Sequence, residues 1–123
     1  MRVLQIDDND DIRKFVGMTV SSMGHDYESA DGGRKGVEMI ENNQYDMVLL
    51  DMSMPEFSGI DVINDLSSKN LMTKQKIVIF SASVKKDDII EELQGKGIHS
   101  FLPKPVDIDE LIDKLTEIED EIK

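Results

Sequence analysis

The sequence predicts an α/β domain in which a parallel sheet is covered by helices on both faces. Three observations carry this expectation. Short apolar runs alternate with segments whose apolar residues recur at helical spacing. The apolar runs have few polar interruptions, as befits strands buried on both sides. The length, 123 residues, suits one domain with its own core, at about 150 residues per domain. Strands that alternate with helices imply right-handed crossovers between parallel neighbours.

Each element has its own signal. Val3-Leu4-Gln5-Ile6 is a mostly apolar run that ends in Asp7-Asp8-Asn9-Asp10-Asp11. Ile12, Phe15, Val16, Thr19, Val20 and Met23 then recur at helical spacing, and Gly24 follows as a C-terminal cap. Tyr27 to Ala30 forms a weak second strand. Asp31 can cap a second helix bearing Val37, Met39 and Ile40, although Gly32, Gly33 and Gly36 weaken its first turns. Met47 to Leu50 is a third, continuous apolar run ending in Asp51. A loop with Pro55 and Gly59 leads to a helix carrying Ile60, Val62, Ile63 and Leu66. Lys76 to Phe80 is the fourth strand, ending in Ser81-Ala82-Ser83. A short helix follows around Asp87 to Gln94, with Ile89, Ile90 and Leu93. Gly97 precedes the fifth strand, Ile98 to Leu102, and Pro103-Lys104-Pro105 breaks the chain. The last helix carries Ile108, Leu111, Ile112, Leu115, Ile118 and Ile122 on one face, with Asp107 as its cap. No repeat, low-complexity segment or linker interrupts this series, so residues 1–123 read as a single domain.

Composition narrows the function. The 26 acidic and 14 basic residues give a net charge of -12. Phosphate backbones and anionic membranes repel such a chain, which argues against nucleic-acid and membrane partners. The absence of cysteine excludes a disulfide scaffold, a Cys-based zinc site and a thiol nucleophile. Runs such as Met47 to Leu50 and Ile77 to Phe80 are too short to span a bilayer, and the N-terminus has no signal-peptide core. A soluble cytoplasmic domain is therefore expected.

The chemistry should lie at one edge of the sheet. In open α/β sheets, ligands sit beyond the carboxyl ends of the strands, where the strand order switches. The first strand ends in Asp7-Asp8, the third in Asp51 and the fourth in Ser81, while Lys104 follows the fifth. Carboxylates gathered there repel, by roughly 4 kcal/mol per pair at about 4 Å and a dielectric of about 20. A cation relieves this, and hard oxygen ligands suit Mg²⁺. Such an ion would also neutralise charge on an incoming phosphoryl group. A carboxylate can act as nucleophile and form an aspartyl phosphate, with an ammonium and a hydroxyl nearby to hold the phosphoryl oxygens.

The ordered set resembles a known family. Asp7-Asp8, Asp51, Pro55 with Gly59, Ser81-Ala82 and Lys104-Pro105 together resemble a response-regulator receiver domain of two-component signalling, over nearly the whole chain. The resemblance implies a flavodoxin-like (βα)5 fold with strand order 2-1-3-4-5. It implies that Asp51 accepts the phosphoryl group. Mg²⁺ would bind Asp8 directly, Asp7 through water, Asp51, and the backbone carbonyl of Ser53. Lys104, before a cis bond to Pro105, and Ser81 would hold the phosphoryl group. Phe101 occupies the switch-aromatic position, and Ala82 leaves access to the site. The implied donor is a histidine kinase or a histidine phosphotransfer protein, with a downstream protein that the sequence does not identify. A stand-alone receiver, as in chemotaxis or phosphorelays, is expected. Some features depart from the common pattern. Ser81 stands where Thr is frequent, Phe101 lacks a phenol, and Pro103 removes a ladder donor, which an edge strand tolerates.

Plainer readings stand beside these. Asp10 and Asp11 suit a solvated first helical turn. Phe101 could be simple core. Gly32-Gly33-Arg34-Lys35-Gly36 lacks a phosphate-loop ending and reads as the start of a helix. His25 and His99 have no ligand partner at a familiar spacing, and the acidic last helix reads as a solvated face. Two other functions compete with the leading one. Asp8-Asn9-Asp10 superficially resembles the nucleophile motif of haloacid-dehalogenase phosphohydrolases, and the fold could also serve as an unphosphorylated docking module.

Overall fold

A computed structural model describes residues 1–81 and 87–123, and of residues 87–90 the backbone alone. Five strands and five helices alternate: β1 (Arg2–Ile6), α1 (Asp10–Ser22), β2 (Asp26–Ala30), α2 (Gly33–Asn42) and β3 (Met47–Asp51) come first. α3 (Gly59–Ser68), β4 (Lys76–Ser81), α4 (Asp87–Gly95), β5 (Ser100–Pro103) and α5 (Ile108–Ile122) complete the chain. All strand pairs are parallel, in the order β2-β1-β3-β4-β5. This is the expected flavodoxin-like architecture. Ala82 and Ser83 lie outside the described residues, as do the side chains of Ile89 and Ile90.

The two-residue period of the strands sorts the core into two layers. Leu4, Ile6, Val48, Leu50, Ile77 and Ile79 pack with Val37 and Ile40 of α2 and Val62, Ile63 and Leu66 of α3. Val3, Met47, Leu49, Val78, Phe80 and Leu102 pack with Val16 and Val20 of α1 and Leu111, Leu115 and Ile118 of α5. Asp7 and Asp51 continue the alternation of the second layer. The register Val3 to Met47 through Ile6 to Leu50 carries their backbones to the same edge.

Helix ends follow local chemistry. Asn9 caps α1 by accepting from the Ile12 N–H, and Gly24 ends that helix with φ +84°. Ser58 and Asp61 form a reciprocal capping box on α3, and Asp107 caps α5. Pro103 ends β5 at the sheet edge, where no ladder donor is needed on its outer side. The Lys104–Pro105 bond is cis.

The structure corrects some expected details. Asp31 does not cap α2: the cap is Gly32, which makes no side-chain bond. Ile60, Ile108 and Ile122 are exposed, because each lies in the outermost turn of its helix. β5 begins at Ser100, and Ile98 is buried ahead of it. His25 is buried. It meets the N-terminal amine at 3.0 Å and Glu119 at 3.5 Å. His99 meets Glu121 at 2.7 Å, so two acids of α5 face histidines and not solvent alone.

The α2 glycines have a packing reason. A Cβ on Gly36 would lie 2.4 Å from Cδ1 and 2.7 Å from Cγ1 of Ile6, which is fully buried. Alanine ordinarily improves a helix interior over glycine by about 1 kcal/mol. Here the overlap wins, because two carbons of a fully buried, β-branched side chain would have to shift within a packed core. Gly36→Ala should destabilise the fold by about 1–3 kcal/mol in urea unfolding. A variant as stable as the parent would refute this account of α2.

Candidate functional site

Asp7, Asp8 and Asp51 each present a carboxylate oxygen, and these oxygens lie within 4.8 Å of one another. Asp8 is exposed, whereas Asp7 and Asp51 are buried, at 0% and 3% exposure. The Lys104 ammonium lies 3.1 Å from Asp51 Oδ1 and 3.3 Å from Asp7 Oδ2. Four residues from the ends of three strands, β1, β3 and β5, therefore meet at the carboxyl edge, as the sequence predicts.

Backbone bonds hold the edge together. The Asp7 N–H donates to the Ala30 carbonyl, and Asp7 Oδ1 accepts from the Asn9 N–H at 2.9 Å. Asp51 Oδ1 accepts from the Ser53 N–H at 3.2 Å, and the Met52 N–H donates to the Phe80 carbonyl. Gly59 lets the loop close on itself: a Cβ there would lie 2.7 Å from the Asp51 carbonyl oxygen. The Lys104 N–H donates to the Ser81 carbonyl at 3.1 Å, so the ends of β4 and β5 are tied at the site. Ser81 is half-buried, one residue beyond the Asp51–Phe80 pair. Phe101 is half-buried against the α2–α3 layer of the core, and Ser53 is exposed.

The electrostatics fit a cation. Burial holds the Asp7 carboxyl above its ordinary value; the Asn9 N–H and Lys104 oppose this, and the Asp51 charge adds to it. Three carboxylates and one ammonium leave a formal charge of about -2, which a divalent ion neutralises. The donors are all hard oxygens, so the set fits Mg²⁺ better than a soft metal.

Two neighbours of the acidic cluster take other roles. Asn9 is the α1 cap, and Asp10 pairs with Arg13 on the helix surface. The dehalogenase-like reading of Asp8-Asn9-Asp10 gains nothing from this arrangement. Arg13 was not marked by any sequence motif. Its Nη1 donates to the Asp7 carbonyl at 2.7 Å, and only its place three residues after Asp10 hints at a local pair.

Comparison with known proteins adds an independent line. The cell cycle transcriptional regulator CtrA of Caulobacter vibrioides is 32% identical over 115 residues, covering 94% of this chain and 48% of that protein. The chain thus spans about half the length of that relative. The receiver domain of Francisella response regulator 1452 superposes with a TM-score of 0.87 at 31% identity, covering 99% of this chain and 98% of that one. Response regulator TrrA of Thermotoga maritima, described in complex with Mg²⁺-BeF, superposes at 0.77 with 25% identity, covering 95% and 97%. Among the described residues, no helix is long and apolar enough to cross a membrane. The family model for the response regulator receiver domain matches residues 3–116, nearly the whole series of strands and helices, and the chain belongs to that family.

Proposed function

We propose that the chain is a phosphoacceptor switch of two-component signalling, in which Asp51 takes a phosphoryl group from a phosphohistidine. The observation that supports this best is the meeting of Asp7, Asp8, Asp51 and Lys104 at one edge of the sheet. In the transfer, an Asp51 carboxylate oxygen attacks phosphorus. The new P–O bond forms as the donor's P–N bond breaks, and the imidazole leaves with the electron pair. Lys104, already beside Asp51, faces the added negative charge, and the Ser81 hydroxyl offers a donor to a phosphoryl oxygen. Asp7, Asp8, Asp51 and the Ser53 carbonyl would hold Mg²⁺, which supplies charge neutralisation to the phosphoryl oxygens.

The domain would catalyse only the formation and hydrolysis of its own acyl phosphate and is not a turnover enzyme for an external substrate. The donor would be a histidine kinase or phosphotransfer protein in the cytoplasm. Contacts to the phosphoryl group from Ser81 and Lys104, with Phe101 packing inward, would shift the population toward a state with altered partner affinity.

Incubation with acetyl phosphate, with Mg²⁺ or with a chelator, tests the reading by intact mass and phosphate release. One added phosphoryl group, or steady phosphate release, is expected with Mg²⁺ only. Absence of both signals in Mg²⁺ would contradict the proposal, and a docking module would then remain. Rapid turnover of simple phosphate monoesters would favour a phosphohydrolase.

A further inference from the structure

Arg13 stands in the first turn of α1 beside Asp10 and Asp11, at the helix end where the backbone dipole disfavours a cation. Its side chain is nevertheless only 17% exposed. It turns back over the β1–α1 connection, where Nη1 donates to the Asp7 carbonyl and Nη2 pairs with Asp10. That carbonyl belongs to the peptide joining Asp7 to Asp8. A peptide is planar, so holding its oxygen sets ψ of Asp7 and φ of Asp8 together. Those two angles set the directions in which the Cα–Cβ bonds of Asp7 and Asp8 leave the chain, and so where each carboxylate starts from.

Arg13 is itself held from inside the fold. Its carbonyl faces the Tyr27 hydroxyl at 3.0 Å, and that hydroxyl lies 2.6 Å from the Gln5 side-chain amide, two residues before Asp7 on β1. Gln5 is fully buried, and Gly17 leaves room for the Tyr27 ring, which a Cβ would approach to 2.8 Å. The first turns of α1 are thus pinned to β1 and β2 where the guanidinium must start.

We infer that Arg13 is a positioning residue for a divalent cation at Asp7, Asp8 and Asp51, acting through its hydrogen bond to the Asp7 carbonyl. The inference rests on the metal reading given above. It separates cleanly from a role as a nearby charge. Removing a positive charge alone would strengthen binding of a cation. Removing the clamp weakens it, because the two carboxylates lose their shared orientation.

The test is the Mg²⁺ dissociation constant, measured by titration calorimetry on folded protein. Circular dichroism sets a temperature at which every variant is native. Arg13→Met, which keeps much of the stem, should bind Mg²⁺ about tenfold more weakly. Arg13→Lys keeps the charge with a compact ammonium in place of the planar fork, and should fall between. Equal or tighter binding by Arg13→Met would overturn the inference. If that variant does not fold, Arg13→Lys decides: weaker binding supports the clamp, and unchanged or tighter binding overturns it. If the unaltered protein binds no Mg²⁺, the metal reading fails and this inference falls with it. A parent that binds beside an unaffected variant removes the inference alone.

Discussion

With Asp51 replaced by asparagine, the protein should gain no phosphoryl group from acetyl phosphate or from a phosphohistidine donor. The amide nitrogen and oxygen of Asp51→Asn have nearly the shape of the carboxylate, so the Ser53 N–H keeps an acceptor. What is lost is the anionic oxygen that attacks phosphorus. The fold should survive, because the variant also removes one of two adjacent buried charges. Lys104 keeps Asp7 as its partner at 3.3 Å. Intact mass after incubation with Mg²⁺ and acetyl phosphate reads the result. A singly phosphorylated Asp51→Asn protein would place the acceptor elsewhere.

The second large effect should come from Asp7→Asn, with opposite signs for stability and for metal binding. Asp7 is fully buried, and burial raises its carboxyl above the ordinary aspartate value. The native chain therefore holds this proton more tightly than the unfolded chain does. Stability from this group is full below the ordinary aspartate value and is lost as pH rises through the raised native one. At neutral pH the ionised form is a cost. Asp7→Asn keeps the acceptor for the Asn9 N–H and removes repulsion with Asp51. It should stabilise the metal-free protein by about 1–3 kcal/mol at neutral pH. The stability difference should shrink as pH falls toward the ordinary aspartate range. The same variant should weaken Mg²⁺ binding by more than about tenfold, since even supporting groups around a metal cost that much. Urea unfolding without divalent ions, at several pH values, checks the first part. A less stable variant at neutral pH would contradict the account of Asp7 as a buried carboxylate whose ionised form costs stability.

Burial of Asp7 first, and its nearness to Asp51 second, underlie both effects. The Asp7 and Asp51 carboxylates have oxygens within 4.8 Å of each other, so their repulsion adds to the cost of burying Asp7. One lysine shared between the two offsets that repulsion but leaves the acidic set net negative. Under the proposed function, the same imbalance that lowers stability would favour a divalent ion and a phosphoryl group brought with it. On that reading, function and stability oppose each other at this site.

Much of this was legible in the sequence, for identifiable reasons. β3 and β4 are buried on both faces, and their unbroken apolar runs end at the residues that matter, Asp51 and Ser81. Asp7, Asp51 and Lys104 lie at strand ends, so the topology of a parallel sheet brings them to one edge without any knowledge of side-chain contacts. The start of α2 was less legible. Its glycines look like weak helix, and only the tertiary neighbours, Phe57 and Val62 against Gly33 and Ile6 against Gly36, show that these two are there for close packing. The contact of Arg13 was invisible, because its acceptor is the backbone carbonyl of Asp7, and a motif records side chains only. The two histidines likewise gained meaning only from the path of α5, which brings Glu119 and Glu121 past them.

The central claim, that Asp51 is the acceptor in this cluster, is tested most directly by trapping the acyl phosphate. Borohydride reduces an aspartyl phosphate to homoserine, which peptide mass spectrometry locates in the chain. After treatment with acetyl phosphate and Mg²⁺, the account predicts homoserine at position 51, none at Asp7 or Asp8, and none when Mg²⁺ is chelated. Homoserine at another position, or at position 51 with Mg²⁺ chelated, would contradict it.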